Sequence, residues 1–444
     1  MNLDRWLALL EQRHPRAIDL GLERCGAVYR RLGSPRPARQ VFTVAGTNGK
    51  GSTVAYVAAL CAATGQRYGT YTSPHILHFN ERITVMGMPV SDSCLVAAFE
   101  RVEIARESES LTYFEFTTLA GLLILNESGL EYAVLEVGLG GRLDTVNLVD
   151  ADCVVITPIG LDHQDFLGPD LDSIAKEKAG VIRAGRPVVC TENQPPAPIL
   201  QISAQMAAPV FRRGIEFDLA RQPDQGGTLL FSMGGHSMLV SPPAMGGAHQ
   251  RDNLAAALCA FSILNPGCFS QAPELSDAIQ QVKVQGRLQT IAGKAGCRPE
   301  IILDVGHNAM AARVVADFLV RSERSSVTCV LAMLGDKPVE DVAVTLGEVC
   351  NRWYCASSPG ARGQTAGVLS DRLQKALPGA DITEVEDLGD ALQIALENTD
   401  SRDTILVFGS FTTVAAALGW IKNSLQHDRH DTARIIPPGP EAGQ

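Results

Sequence analysis

Apolar runs and helical patterns alternate along the first part of the chain. Strand-like runs fall at 41–45, 67–71, 132–137 and 153–158, and helical periodicity at 52–64, 92–107, 115–128 and 172–183. That alternation predicts a mainly parallel sheet covered by helices. Residues 208–240 change character, and short runs such as TLLFSMGGHSMLV around Gly234-Gly235 predict hairpins. A helical stretch, RDNLAAALCAFSIL, then restores the earlier pattern.

The segment QGRLQTIAGKAGCRPE, 285–300, mixes Gly, Lys, Arg and Pro and reads as a junction. A second alternation follows, with strands at 301–304, 327–332, 352–356 and 404–408 and helices between them. We expect a domain over 1–288, a linker at 289–297, a smaller α/β domain over 298–424, and a disordered tail over 425–444. No internal repeat of solenoid period is present in the sequence.

Composition narrows the function classes. With 45% hydrophobic and 20% charged residues, the 444-residue chain has the balance of a soluble globular protein. Its formal charge of −11 comes without a basic stripe, which argues against nucleic acid as the main partner. An anionic ligand must then be held by a local loop, a helix N-terminus or a metal. The longest apolar runs, such as Leu119–Leu125, fall short of the roughly 18 residues of a membrane span. The start of the chain carries acidic residues and no long apolar stretch with a cleavage site. Eleven cysteines are scattered with no CxxC pair, which suits buried thiols in a reducing compartment better than zinc or disulfides. The expectation is a cytoplasmic protein that binds neither nucleic acid nor membrane.

The candidate chemistry starts at VFTVAGTNGKGSTVAYVAAL, residues 41–60. An apolar run meets the turn Gly46–Gly51, and a helical segment follows with Val54, Val57, Ala58 and Cys61 on one face. Strand, glycine turn, lysine and helix in that order are the parts that cradle phosphates. Backbone N–H groups from Thr47 to Gly51 would wrap phosphate oxygens, and Lys50 adds positive charge. A plain glycine turn is the alternative. The usual phosphate-loop pattern is broken twice, with Val44 where glycine is usual and Gly51 where Ser or Thr normally follows the lysine.

A triphosphate loop normally works with Mg²⁺, which takes oxygen ligands. With the usual hydroxyl missing, those ligands must come from elsewhere. Ser73 in YTSPH, Glu136 in VLEVGLGG and His163 in PIGLDHQD each follow an apolar run. In open α/β sheets, ligands gather at such strand ends. Glu136 stands among Val134, Leu135 and Val137, where an unpaired carboxylate is costly. Ser73 and His163, taken singly, read equally well as a turn hydroxyl and a core histidine.

GTNGKGS, SPH followed by NERI, LTYFE, EVGLGGRLDTVN, DHQDFLGPDLDSIAKEKAG, DVGHN and GSFTTV occur in that order between about residues 12 and 424. Together they resemble the folylpolyglutamate and dihydrofolate synthases of the Mur ligase family. The resemblance implies a P-loop-type ATPase domain with a mainly parallel sheet and a smaller C-terminal Rossmann-like α/β domain. It also implies an ATP-dependent amide ligase. The γ-phosphoryl group passes to a carboxylate, and the α-amine of L-glutamate attacks the acyl phosphate. By the same resemblance Ser73, Glu136 and His163 hold Mg²⁺, and Lys50, His163 and Lys178 occupy catalytic positions, Lys178 as a candidate carbamate. The alternative for Lys178 is a solvated helix lysine like Lys176. Thr47, Asn48, Gly49, Lys50, Gly51, Ser52, Asn253, Arg287 and Asp304 match ATP-binding positions, and His307 and Ser410 match glutamate positions. For Ser410, simple N-capping is an equal reading. The chain departs from the family pattern at Ala309 and Gln285, where proline is usual.

Only about 40 residues precede the loop, too few for the additional domain that UDP-linked substrates require. HPRAIDLGLER and SLTYFE resemble segments around a pterin pocket, with Thr112, Phe114 and Asp144 at its binding positions. The expected activity is addition of L-glutamate to dihydropteroate, giving dihydrofolate, and γ-linked extension of reduced folates. A polyglutamating enzyme alone, a nucleotide-gated regulatory ATPase and a non-catalytic binding protein are the alternatives. A monomer is expected.

Overall fold

The computed structural model describes residues 1–14, 18–222, 227–293, 298–324, 326–360 and 362–431. The chain divides into two compact units, Met1–Gln285 and Gly286–Gln444.

In the first unit α1 (Leu3–Arg13) and α2 (Glu23–Arg31) precede β1 (Gln40–Ala45). There follow α3 (Lys50–Ala63), β2 (Tyr68–Tyr71), β3 (Ile83–Val85), β4 (Met88–Pro89), α4 (Asp92–Arg106), α5 (Tyr113–Glu127), β5 (Tyr132–Glu136) and β6 (Cys153–Ile156). Next come α6 (Gln164–Leu167), α7 (Leu171–Ala179), β7 (Val188–Cys190), α8 (Ala197–Gln205) and β8 (Val210–Arg212). The sheet order is β4-β3-β2-β5-β1-β6-β7-β8, with antiparallel pairing of β3 to both β2 and β4 and parallel pairing elsewhere. The central strands are buried on both faces, so they read as continuous apolar runs rather than alternations.

Each central strand nonetheless serves two cores by side-chain alternation. Val41, Ala45, Ala133, Leu135, Val154 and Ile156 face one core, beside α4 and α5. Phe42, Val44, Tyr132, Val134, Cys153 and Val155 face the other, beside α3 and α9 (His249–Leu264).

Strands β9 (Phe217–Arg221), β10 (Leu229–Met233) and β11 (His236–Val240) form a separate antiparallel sheet. Gly234 and Gly235 make its tight turn with φ of 57° and 79°, the left-handed values a two-residue hairpin needs. Not all of 208–240 is hairpin, since β8 extends the parallel sheet. Helix α10 (Ala272–Gln281) closes the unit.

The second unit holds β12 (Gln289–Ile291), β13 (Glu300–Asp304), α11 (Ala309–Arg321), β14 (Val327–Leu331) and α12 (Val339–Leu346). It continues with β15 (Cys350–Ala356), α13 (Ala366–Ala376), β16 (Asp381–Val385), α14 (Leu388–Asn398), β17 (Thr404–Phe408) and α15 (Phe411–Asp431). Its order is β12-β13-β17-β14-β15-β16, and only β12 runs antiparallel. The α/β class holds in both units.

Gln289–Ile291, expected in the linker, pair with Ile301–Leu303 as β12. Helix α15 runs on to Asp431, past the expected start of the tail at 425, while residues 432–444 lie outside the described residues. Among the described residues no helix is long and apolar enough to cross a membrane.

Candidate active site

The loop between β1 and α3 is shaped by contacts that exclude side chains at its glycines. Gly46 has φ of 146°, and a Cβ there would lie 1.8 Å from Thr157 Oγ1. Gly49 has φ of 89°, and a Cβ there would lie 2.5 Å from Asn253 Oδ1. Both positions therefore need glycine, for conformation as well as space. Thr47 ties the loop to the segment after β6. Its N–H donates to Pro158 O at 2.9 Å, its hydroxyl donates to Gly160 O at 3.1 Å, and Gly160 N–H donates back to the hydroxyl at 3.0 Å. Asn48 lies at the tip of the turn, and Lys50 and Gly51 open α3. Ser52 is buried, and its hydroxyl accepts from Gln250 Nε2 at 3.3 Å. Gln250 Oε1 in turn accepts from Asn253 Nδ2 at 3.2 Å. Gln250 is thus a link between loop and α9 that the sequence pattern does not distinguish from its helical neighbours.

Two lysines meet at one carbonyl. Lys50 Nζ donates to Gly46 O at 3.3 Å and to Thr47 O at 3.0 Å, and Lys178 Nζ donates to Gly46 O at 2.7 Å. Lys178 is only 4% exposed, so it is not a solvated helix lysine. Burial, with repulsion from Lys50 behind it, brings its ammonium down to about 7, against the pull of Asp162 and Asp144.

Glu136 ends β5 directly beside Val44 of β1, next to the loop, and is 5% exposed. Its Oε2 accepts from the Ser73 N–H at 3.3 Å, which joins two of the expected metal positions. His163 adopts a left-handed conformation, φ 52° and ψ 39°, with its N–H donating to Asp162 Oδ1 at 2.9 Å. Ser73 and His163 both line a cavity of about 260 Å³.

The same cavity is lined by Thr112, Phe114 and Asp144. Thr112 caps α5 in a reciprocal box, accepting from Glu115 N–H at 3.2 Å while Thr112 N–H donates to Glu115 Oε2 at 2.7 Å. The half-buried Phe114 ring lies over Gly138, where a Cβ would come 2.5 Å from Cζ. Asp144 is fully enclosed; its carboxylate accepts from Leu139 and Val146 N–H groups at 2.8 and 2.9 Å. Burial pushes its carboxyl up to about 6, offset in part by those bonds and by Lys50. Ile18–Gly21 and Arg82 complete much of the wall.

In the second unit Asp304 ends β13 and accepts from Gly306 N–H at 2.8 Å and Leu288 N–H at 2.9 Å. Burial raises its carboxyl, and Arg287 opposes the shift. The Arg287 guanidinium packs over the Phe411 ring at 5.1 Å. His307 Nδ1 lies 3.0 Å from Val305 O. Ser410 accepts from Thr413 N–H at 3.0 Å, which is an N-capping bond at the start of α15. Its hydroxyl also meets those of Thr412 and Thr413 at 2.8 and 2.7 Å. Ser410 and Thr413 are buried, and Thr412 beside them is exposed. A cavity of about 540 Å³ beside Thr412 and Thr413, reaching Ser358, Thr365 and Asp387, has no counterpart in the sequence-based expectations.

Within the first unit the structure therefore brings together Thr47–Ser52, Ser73, Thr112, Phe114, Glu136, Asp144, His163, Lys178 and Asn253. Within the second it groups Arg287, Asp304, His307 and Ser410.

Two domain families match the chain: Mur ligase middle domain over residues 44–261, and Mur ligase, glutamate ligase domain over residues 286–411. The chain is 38% identical to the dihydrofolate synthase/folylpolyglutamate synthase of Escherichia coli strain K12 over 414 residues, 93% of this chain and 94% of that protein. It is 31% identical to the protein of that name from Bacillus subtilis strain 168 over 405 residues, 88% and 92% of the two chains. E. coli FolC in complex with DHPP and ADP shares the fold with a TM-score of 0.87 at 35% identity, covering 96% of this chain and 99% of that one. The bifunctional enzyme from Yersinia pestis complexed with AMPPNP and Mn ion gives 0.84 at 36%, covering 95% and 98%. On the fold, the loop and these matches, the chain belongs to the dihydrofolate synthase/folylpolyglutamate synthase family of Mur ligases.

Proposed function

We propose that this enzyme joins L-glutamate to dihydropteroate, forming dihydrofolate, and extends reduced folates with γ-linked glutamates. The observation that carries this reading is the cavity that Ser73 and His163 share with Thr112, Phe114 and Asp144. It sets an acceptor pocket with an aromatic wall and a buried carboxylate against residues next to the phosphate loop. Phe114 would stack on the pterin ring, and Thr112 and Asp144 would meet its polar edge.

The loop N–H groups and Lys50 would bind the ATP phosphates, with Asn253, Arg287 and Asp304 serving the rest of the nucleotide. An acceptor carboxylate oxygen attacks the γ-phosphorus and ADP leaves. The glutamate amine, from a molecule held by His307 and Ser410, then attacks the acyl carbon. Phosphate leaves, and the amine proton passes to solvent or base. Such a reaction gains chiefly from positioning and from neutralised phosphoryl charge.

A carboxylate, a hydroxyl and an imidazole at adjoining strand ends fit a divalent ion of the Mg²⁺ type, and Glu136, Ser73 and His163 would hold it. Bound there, the ion would neutralise phosphoryl oxygens. Among the described residues no cluster of three His, Cys, Asp or Glu offers another metal site. The buried Lys178, with its Nζ 2.7 Å from Gly46 O, suits a carbamate better than a free cation, because a second ammonium beside Lys50 is unfavourable while an anion there would be paired. Carbon-13 bicarbonate labelling of the native enzyme should give a carbamate signal that Lys178→Ala abolishes; no signal would return Lys178 to a plain amine. The ten described cysteines are free, nine of them buried, which accords with a cytoplasmic setting. We take the working unit to be a monomer.

The deciding experiment measures ADP release with ATP, Mg²⁺ and L-glutamate, comparing dihydropteroate with tetrahydrofolate. Turnover with both supports the bifunctional reading. Turnover with tetrahydrofolate alone would leave a polyglutamating enzyme and reduce Thr112 and Phe114 to packing. Chelation of the metal should stop both.

A further inference from the structure

Arg82 ends a short 3₁₀ turn, Phe79–Arg82, just before β3, and lines the acceptor cavity while the residue is only 7% exposed. Its carbonyl accepts from Thr72 N–H at 2.8 Å, which fixes it beside Ser73. Its Nε donates to His75 Nδ1 at 2.9 Å, and its guanidinium packs against Phe79 and Tyr113 at 5.2 and 5.5 Å. Those contacts orient the side chain without neutralising it. Among the described residues no carboxylate forms an ion pair with Arg82.

The acids on the same wall are engaged elsewhere. Asp19 pairs with Arg24 at 2.8 Å, and Glu115 with Arg24 at 3.1 Å and with the Thr112 N–H. Asp144 takes the two backbone N–H groups described above. A buried guanidinium without a counter-ion is expensive unless a ligand supplies one. Its planar fork of donors matches a carboxylate.

We propose that Arg82 is the receptor for the acceptor's carboxylate, so that the cavity reads both ends of dihydropteroate: the pterin at Thr112, Phe114 and Asp144, and the benzoate anion at the two Nη groups of Arg82. The inference rests on the reading of this cavity as the acceptor pocket. The benzoate carboxylate is the only anionic group of dihydropteroate, and the pterin edge is neutral. Charge therefore assigns the anion to Arg82, and an acceptor without it binds weakly.

The test is calorimetric titration of the full-length protein with dihydropteroate and with its primary carboxamide. Wild type should prefer the carboxylate by about 10- to 100-fold, the range expected from charge-assisted hydrogen bonds. In Arg82→Gln the preference should vanish while affinity for the carboxamide stays within about twofold, and Arg82→Lys should restore part of it. Equal binding of both ligands by wild type, or a preference retained in Arg82→Gln, would overturn the proposal and leave the pocket assignment intact. Binding of neither ligand by wild type would overturn the pocket assignment and the proposal with it. If Arg82→Gln loses its cooperative thermal transition, the wild-type pair of titrations decides alone.

Discussion

Gly138→Ala is the sharpest probe of the acceptor pocket. The new methyl would lie 2.5 Å from Phe114 Cζ and 2.7 Å from Cε2. Carbon atoms pack comfortably at about 3.5 Å, so the ring edge must withdraw by roughly 1 Å. The clash falls on the end of a half-buried side chain that borders a cavity, and the ring has room to swing. The stability cost should therefore sit at the low end of overpacking, about 1 kcal/mol, with Tm falling by no more than about 3 °C. The functional cost should be larger. A displacement of this size can cost on the order of 10²-fold in rate when it misplaces a substrate. Steady-state kinetics should show kcat/KM for dihydropteroate reduced by about that factor, with KM for ATP within about twofold of wild type. In a Phe114→Leu background the same change should cost little, because the ring it displaces is gone. An unchanged acceptor KM, or an equal loss in the Phe114→Leu background, would refute the role given to the ring.

Three further outcomes are expected. Lys50→Ala and Glu136→Ala should each lower turnover by about 10² to 10³ while shifting Tm little; near-normal turnover in Glu136→Ala would remove it from the metal set. Asp144 has its carboxyl raised to about 6 by burial, so it is protonated below that pH and ionised above. Dihydropteroate affinity should then strengthen as pH rises through about 6, and Asp144→Asn should flatten that dependence; a wild-type affinity that is flat from acid to neutral would count against ionised Asp144 as the pterin contact. Ser410→Ala should cost about 1 kcal/mol through loss of the N-cap and raise KM for glutamate at least about tenfold. If denaturant unfolding shifts while that KM does not, Ser410 is a cap and no more.

Legibility in the sequence followed burial. Strands β1, β5, β6 and β17 are buried along nearly their whole length, and each shows as a mainly apolar run. Strand β16, DITEV, lies at a sheet edge with mostly exposed or half-exposed residues, and nothing in its pattern predicts a strand. Strand β12 is only three residues long and joins the sheet through antiparallel pairing, so it looks like linker. Among site residues Glu136 is legible because a charge interrupts an apolar strand. Lys178 is not, since only tertiary packing makes it a buried amine where Lys176, two residues earlier, is exposed. Gln250 acts through Ser52, far away in sequence, and its neighbours give no local sign of it.

Strand β1 feeds two cores and ends in the phosphate loop, and this couples length to chemistry. Deleting or inserting one residue between Gln40 and Ala45 would reverse the facing of the residues on one side of the change, moving Val41 or Ala45 to the side of Phe42 and Val44. The same change would slide the loop by about 3.3 Å along its axis, away from the register that sets Val44 beside Glu136. The strand acts as a ruler, and neither the fold nor the site can be re-cut independently of the other. The exposed Gly234-Gly235 hairpin carries no such constraint, and that is where a graft of foreign sequence should be tolerated.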